Sequence, residues 1–460
     1  MLARSSLSQN ARRVAFRQCS KPINRRGMAA AASGSFQYAT GDSNGVKFAS
    51  RDLPGPTTTL AVVAKAGTRY QPLPGYSEGL QQFAFKSTEK RSALRVTREV
   101  ELLGGDLYTY HTRENLVIGA KFLRDDLPYF AELLGEVISK TKYTNHELAE
   151  EVIPTIELAR KSILGSPLEL ALNSAHGVAF HRGLGVPLHP TSSSPLTKYL
   201  DAKHLSAFSV AAYSKPNFAI VANGANQEEV SKWIGEFFKD SSDAYPEGLK
   251  LESQASKYFG GEERIAHDSG NAMVLGFSGS SSFTGSSYKP ELPVLAALLG
   301  GESNIKWSPG FSLLSKAVSS FPQAHVATQN AGYSDAGLFY VSITGKASQV
   351  RSMSEEVVKT IKSVAAGQVS KEDFQKAVAT ARFKALEAGQ DIDAGMEATG
   401  TGLVQAGKPL QIDEIAQGIA SVTEDKLKQA AKSLLESKAS VSTVGDLYLL
   451  PFAEEIGLQV

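Results

Sequence analysis

"HTRENLVIGA" at residues 111–120 has a counterpart in "YSDAGLFYVS" at 333–342, 222 residues further on. The same shift sets "ELAR" (157–160) opposite "ATAR" (379–382), "GVPL" (185–188) opposite "GKPL" (407–410), and His204-Leu205 opposite Lys426-Leu427. "NFAIVANG" (217–224) then meets "ASVSTVGD" (439–446), each a short apolar run entering a glycine-containing turn. One such match is chance. A series at a single offset across more than a hundred residues marks a duplication. A period this long describes two whole domains rather than a solenoid of small repeats. A chain of 460 residues also exceeds what one hydrophobic core usually serves.

Each unit has the same coarse layout. A β-rich run ("TTLAVVAKAG", 58–67; "NAMVLGFSG", 271–279) leads into a helix, and a second strand follows ("ENLVIGAKFL"; "GLFYVSITG"). Amphipathic helices come next. In "DDLPYFAELLGEVISK" the apolar positions Leu127, Phe130, Leu134, Val137 and Ile138 fall at helical spacing. Val350, Met353, Val357, Val358 and Ile361 do the same in "SQVRSMSEEVVKTIKSV". The expected class is α+β: two homologous domains, each a mostly antiparallel sheet packed with helices. The expected boundaries are 35–236 and 264–460, joined by a polar, aperiodic linker over 237–263.

Composition removes several function classes. With 42% hydrophobic residues, 21% charged residues and a net charge of +1, the chain is globular and lacks the basic balance of a nucleic-acid binder. No apolar run approaches membrane-spanning length; "LPVLAALL" (292–299) reads as a core element. Residues 1–34 stand apart. They hold Arg4, Arg12, Arg13, Arg17, Lys21, Arg25 and Arg26, are rich in Ser and Ala, and precede the first acid, Asp42. That pattern is the one expected of a mitochondrial presequence. Cys19, the single cysteine, lies within it, so the mature chain would carry no thiol for disulfide, nucleophile or cysteine-bound metal.

"AGTRYQP…GYSEGLQQFAFKST", "TREVELLGGDLYTYHTRENLVIGAKFLRDDLPYFAELLGEVI" and "GLGVPLHPTSSSPLTKYLDAKHLSAFSVAAYSKPNFAIVANG" together resemble the mitochondrial processing peptidases. The likeness continues through "SVTEDKLKQAAKSLLESKASVSTVG" and covers nearly the whole mature chain. These are zinc peptidases with an inverted H-x-x-E-H signature, in which two histidines and a distant glutamate hold the metal and the intervening glutamate is the general base. Set against that signature, Glu78 falls near the first histidine, Gln81 at the glutamate and Gln82 at the second histidine. Glu157 falls near the third-ligand position. A glutamine amide is a poor zinc ligand and cannot take a proton from water. The resemblance therefore implies a peptidase frame with no catalytic, metal or cofactor-binding residues.

No other site is legible. The histidines are His111, His146, His176, His181, His189, His204, His267 and His325, and none forms an H-x-x-x-H pair. They are expected in caps, on the surface or satisfied in the core. "GFSGSSSFTGSS" (276–287) lacks the phosphate-loop spacing and reads as a strand end and flexible loop. The acid pairs Glu150-Glu151, Glu228-Glu229, Glu262-Glu263 and Glu355-Glu356 read as solvated helix faces.

A glycine-rich substrate loop marks the processing peptidase's non-catalytic subunit. At the matching place, "LGGESNIKWSPGFSLLSKAV" (299–318) keeps Gly300, Gly301 and Gly310 but is broken by Glu302, Asn304, Lys306, Trp307 and Pro309. The chain is thus most similar to the family's non-catalytic relatives among the core subunits of respiratory complex III. That resemblance implies a cofactor-free scaffold, peripheral to the mitochondrial inner membrane on its matrix side. Its implied partners are a homologous core subunit, cytochrome b, cytochrome c1 and the Rieske protein, in a dimeric complex. Candidate contact segments are "KWSPGFSLL" (306–314), with Trp307 and Phe311, and the C-terminal "DLYLLPFAEEIGLQV" (446–460); ordinary core packing is their alternative. Two rival readings stay open on sequence: a zinc-free processing-peptidase subunit that recognises presequences, and an active zinc peptidase with shifted ligands.

Overall fold

In the computed structural model of the protein, residues 37–191, 194–243, 251, 254–301, 310–321 and 323–460 are described. The basic leader over 1–34 and Trp307 lie outside them. The first half runs β1 (Ala39–Ser43), β2 (Val46–Arg51), β3 (Thr57–Ala64), α1 (Tyr76–Phe83), α2 (Ala93–Leu103), β4 (Asp106–His111), β5 (Leu116–Leu123), α3 (Leu127–Lys140), α4 (Ile153–Leu164), α5 (Pro167–Phe180), α6 (Ala202–Ala212), β6 (Phe218–Asn223) and α7 (Gln227–Phe237). The second half runs β7 (Gly261–Ala266), β8 (Asn271–Ser278), α8 (Glu291–Leu299), α9 (Leu313–Val318), β9 (Ala324–Gly332), β10 (Gly337–Gly345), α10 (Ala347–Ala365), α11 (Lys371–Gln390), α12 (Ile392–Ala406), α13 (Ile412–Ala420), α14 (Glu424–Glu436) and β11 (Ser440–Gly445).

The strand order is β1-β2-β6-β3-β5-β4 in one sheet and β7-β11-β8-β10-β9 in the other. Removing β1 makes the two orders equivalent strand for strand. The pairing agrees as well: β2/β6 and β7/β11 are parallel, and every other neighbour is antiparallel. The duplication read from the 222-residue shift is therefore present in the topology. Leu116 opens β5 and Leu338 is the second residue of β10, while Phe218 and Ser440 open β6 and β11.

The central strands are covered on both faces, which is why they read as almost continuous apolar runs. In β3, Leu60, Val62 and Ala64 face a core shared with α1, α3 and α6, while Ala61 and Val63 face the opposite side. In β8, Met273, Leu275 and Phe277 face α8 and α10, while Ala272 and Val274 face away. What covers those second faces comes from the other half. From the first half, α5 lays Ala171, Ala175 and Ala179 on Ala272, Val274, Leu338 and Val444 of the second sheet. From the second half, α12 lays Met396 and Leu403 on Ala61, Val63, Val117 and Val221 of the first sheet. Small residues allow this close approach. A Cβ added at Gly400 of α12 would lie 2.5 Å from the side chain of Val63. Residues Gln37–Val460 consequently form one compact unit.

Three local expectations change. β7 starts at Gly261, so the end of the expected linker is already strand, and Glu262-Glu263 lie on β7 rather than on a solvated helix face. Glu262 pairs with Arg264, and Glu263 accepts a hydrogen bond from Ser174 of α5. The serine-rich segment after β8 is pinned rather than flexible. Ser280 and Ser281 are buried, Ser282 N–H donates to Tyr333 O, and Lys289 N–H donates to Ser280 Oγ. Hydroxyls bonding nearby backbone explain how so polar a run is held.

Candidate functional site

Helix α1 begins after Gly75, whose φ of 95° lies in the left-handed region, and it places Glu78, Gln81 and Gln82 on its first two turns. Glu78 is 2% exposed. Its Oε1 lies 3.2 Å from Nδ1 of His189, and Oε2 has no hydrogen-bond partner among the described residues. Gln81 faces His111, the last residue of β4. Gln81 Oε1 is 2.5 Å from His111 Nδ1, and Gln81 Nε2–H donates to Thr109 O at 3.3 Å. The other ring nitrogen of His111 meets Leu188 O at 2.9 Å, and the His111 and His189 rings lie edge to face with centroids 5.3 Å apart. Burial holds His111 below its ordinary pKa, outweighing the Leu188 carbonyl and the nearby Glu78 carboxylate.

This donor set does not fit a catalytic zinc. Such a site needs three protein ligands converging on an open position. Here the glutamine that stands at the general-base position is engaged with His111 and Thr109. Glu157 is exposed on α4 and makes no ion pair among the described residues. No group of three or more His, Cys, Asp or Glu suited to a metal occurs among the described residues. His111 and His189 came together through folding; they are 78 residues apart, and no sequence spacing signals their contact.

Beside this cluster the two halves are tied by buried polar groups. Gly67 lets the β4–β5 turn approach: a Cβ there would lie 2.5 Å from the backbone of Arg113 and Glu114. Arg69 N–H then donates to Arg113 O, which sets the Arg69 guanidinium against Glu114 Oε1 at 2.7 Å. The same guanidinium grips both oxygens of Asp335 in the second half, at 2.8 and 2.7 Å. Ser334 N–H and Oγ–H both donate to Glu114. Burial alone would raise the Asp335 pKa, but the hydrogen bond from Arg69 and that from Ser256 N–H bring it below the ordinary carboxylate range. On α12, Glu397 accepts hydrogen bonds from Tyr110, Thr112 and Asn115.

Comparison with known proteins places this frame. Residues 47–187 match the family described as "Insulinase (Peptidase family M16)", and residues 199–381 match "Peptidase M16 inactive domain". The chain is 51% identical to the mitochondrial cytochrome b-c1 complex subunit 2 of Neurospora crassa, over 100% of both chains. It is 35% identical to the protein of that name from Schizosaccharomyces pombe, over 91% of this chain and 95% of the relative. With the human protein of that name it shares 26% identity over 90% of each. The chain belongs to peptidase family M16.

Proposed function

We propose that this chain is a non-catalytic structural subunit of mitochondrial complex III, the ubiquinol–cytochrome c reductase. It is not an enzyme in its own right. The observation that carries this reading is the full-length similarity to relatives named as subunit 2 of that complex. The residues at the peptidase positions support it: Glu78, Gln81 and Gln82 offer neither a zinc ligand set nor a general base. Fold alone does not carry activity.

In this role the chain pairs with the homologous core protein 1 and supports cytochrome b, cytochrome c1 and the Rieske protein within a dimeric complex. It lies peripherally on the matrix side of the inner membrane. No helix among the described residues is long and apolar enough to cross a membrane. Two domains over 35–236 and 264–460 serve as a broad docking frame after removal of the leader at 1–34. Phe311 is 66% exposed, and at the C-terminus Tyr448, Leu449 and Phe452 are exposed while Leu450, Ile456 and Leu458 are buried. The exposed set is offered to partners and the buried set anchors it.

A native gel of mildly solubilised mitochondria tests the proposal, with the chain located by mass spectrometry and haem by absorbance. Migration in one large assembly with b- and c-type haem is expected. Migration as a small soluble dimer with presequence-cleaving activity would overturn it.

A further inference from the structure

A cavity of about 370 Å³ opens between the halves, lined by Thr112, Arg113, Asn173 and His189 on its polar side. Leu172, Leu188, Ala331, Tyr333 and Tyr340 give it an apolar body. Arg113 is its unusual member. The residue is 4% exposed and has no carboxylate within ion-pair distance among the described residues. Its Nη1 donates to Leu184 O and Val186 O, and its Nη2 donates to Asn173 Oδ1 at 2.9 Å. These acceptors are neutral dipoles, so the guanidinium is solvated by the protein but not neutralised.

The surrounding groups leave that charge in place. His176 Nδ1–H donates to Leu172 O, which leaves its Nε2 to accept from Tyr333 O–H at 2.8 Å. That arrangement is the neutral tautomer, and burial together with Arg113 holds the His176 pKa well below its ordinary value. Burial pushes the Tyr333 hydroxyl up to about 12, so it is no anion. Glu114 is committed to Arg69 and Ser334. Glu169 lines the cavity from an exposed position and makes no ion pair among the described residues. The nearest acid behind His189 is Glu78, which pairs with that ring.

A buried cation without a counter-ion is costly, and one beside an open cavity is stabilised by whatever anion fits there. A guanidinium favours planar, bidentate oxyanions, and the apolar walls favour a ligand with a hydrocarbon or aromatic body. We propose that this cavity binds one small carboxylate anion with an apolar body, its carboxylate on Arg113 and its body against Tyr333, Tyr340 and Leu172. This site would select anions, the opposite of a groove for basic presequences. It does not depend on the scaffold reading, because it rests on Arg113 and the cavity alone.

The test uses benzoate, benzamide and benzamidine, three planar probes of similar size and different charge, titrated by ligand-observed NMR. They are added to the assembly that contains the full chain. Benzoate is expected to bind at least about tenfold more tightly than benzamide, the factor a charge-assisted hydrogen bond supplies, with benzamidine weakest. Arg113→Gln should bring benzoate down to the level of benzamide. Because Arg113 also holds two backbone carbonyls, that variant risks misfolding, so Ala331→Leu provides a second arm. It fills the cavity from the second half, leaves Arg113 in place and should weaken benzoate binding, with thermal unfolding used to verify that the variant is folded. The proposal fails if benzamide or benzamidine binds as tightly as benzoate, if benzoate does not bind, or if a folded variant of either kind binds it as the parent does.

Discussion

Helices α1 and α8 hold the same place in the two halves, each following the central strand (β3 or β8) of its sheet, yet they carry opposite residues. In α8, "ELPVLAALL" buries Leu292, Val294, Leu295, Leu298 and Leu299 and does nothing but fill the core. In α1, "YSEGLQQF" buries Glu78 with Leu80 and Phe83 and turns Gln81 toward His111. A duplicated frame tolerates either, because the neighbouring strands supply the packing. The difference shows that the polar load of α1 is not a requirement of the fold. In this chain it is held by an internal Glu78–His189 and Gln81–His111 pairing.

The strongest test of this equivalence is to hollow matching cores. Phe130 and Phe339 are both fully buried, one in each half. Phe130→Ala and Phe339→Ala should each cost about 3–5 kcal/mol. Because α5 and α12 are exchanged between the sheets, thermal unfolding followed by circular dichroism and by hydrogen exchange in each sheet should show one shared transition. Two separate transitions would break the claim that the halves interlock. Cutting the tie between them should cost nearly as much. Arg69→Leu leaves Glu114 buried without its partner, a loss of about 3–5 kcal/mol measurable by urea denaturation.

Overfilling the exchanged contacts should give smaller effects. Gly400→Val and Ala175→Leu are each expected to cost about 1–3 kcal/mol in the same assay. Gly418→Ala, whose added Cβ meets nothing within 4 Å, should be neutral or stabilising by a few tenths to about 1 kcal/mol. A separate effect is set by pH. His111 and His176 both have folded pKa values below the ordinary value, so the unfolded chain binds more protons as pH falls through about 6.5. Stability should therefore decline below that pH, by up to about 1.4 kcal/mol per pH unit for each ring. His176→Gln should flatten part of that slope, and a pH-independent stability between 6.5 and 5 would contradict the burial of neutral rings.

Much of the fold was legible because its central strands and helices are strongly patterned. Leu116, Leu338, Phe218 and Ser440 kept the 222-residue shift because no insertion separates them from their copies. The earlier elements do not keep it. β3 and β8 start at Thr57 and Asn271, a shift of 214, since the second half has longer connections between β8 and β10. The peripheral strands β1, β4 and β7 were not anticipated; "ATGDS" and "GEERIA" are polar edge segments with weak alternation. Glu78, Gln81 and Gln82 were placed through resemblance to a motif. His111, His189 and Arg113 were not, because their roles arise only when β4, the segment after α5 and the second half converge, and buried ion pairing leaves no periodic trace. The exchange of α5 and α12 was likewise hidden, for a helix rich in Ala and Gly reads alike whichever sheet it covers.

The role proposed for the molecule is assembly through its retained frame, without chemistry at the peptidase positions. It is tested most directly by replacing the native copy with Gln81→Ala/Gln82→Ala and, separately, with Gly400→Val. The quantities to compare are assembled haem-bearing complex and its electron-transfer rate per haem. The site variant is expected to assemble and turn over as the parent does, while the frame variant lowers the amount of complex without changing the rate per haem. A site variant that assembles fully but loses activity would contradict the account and return chemistry to α1.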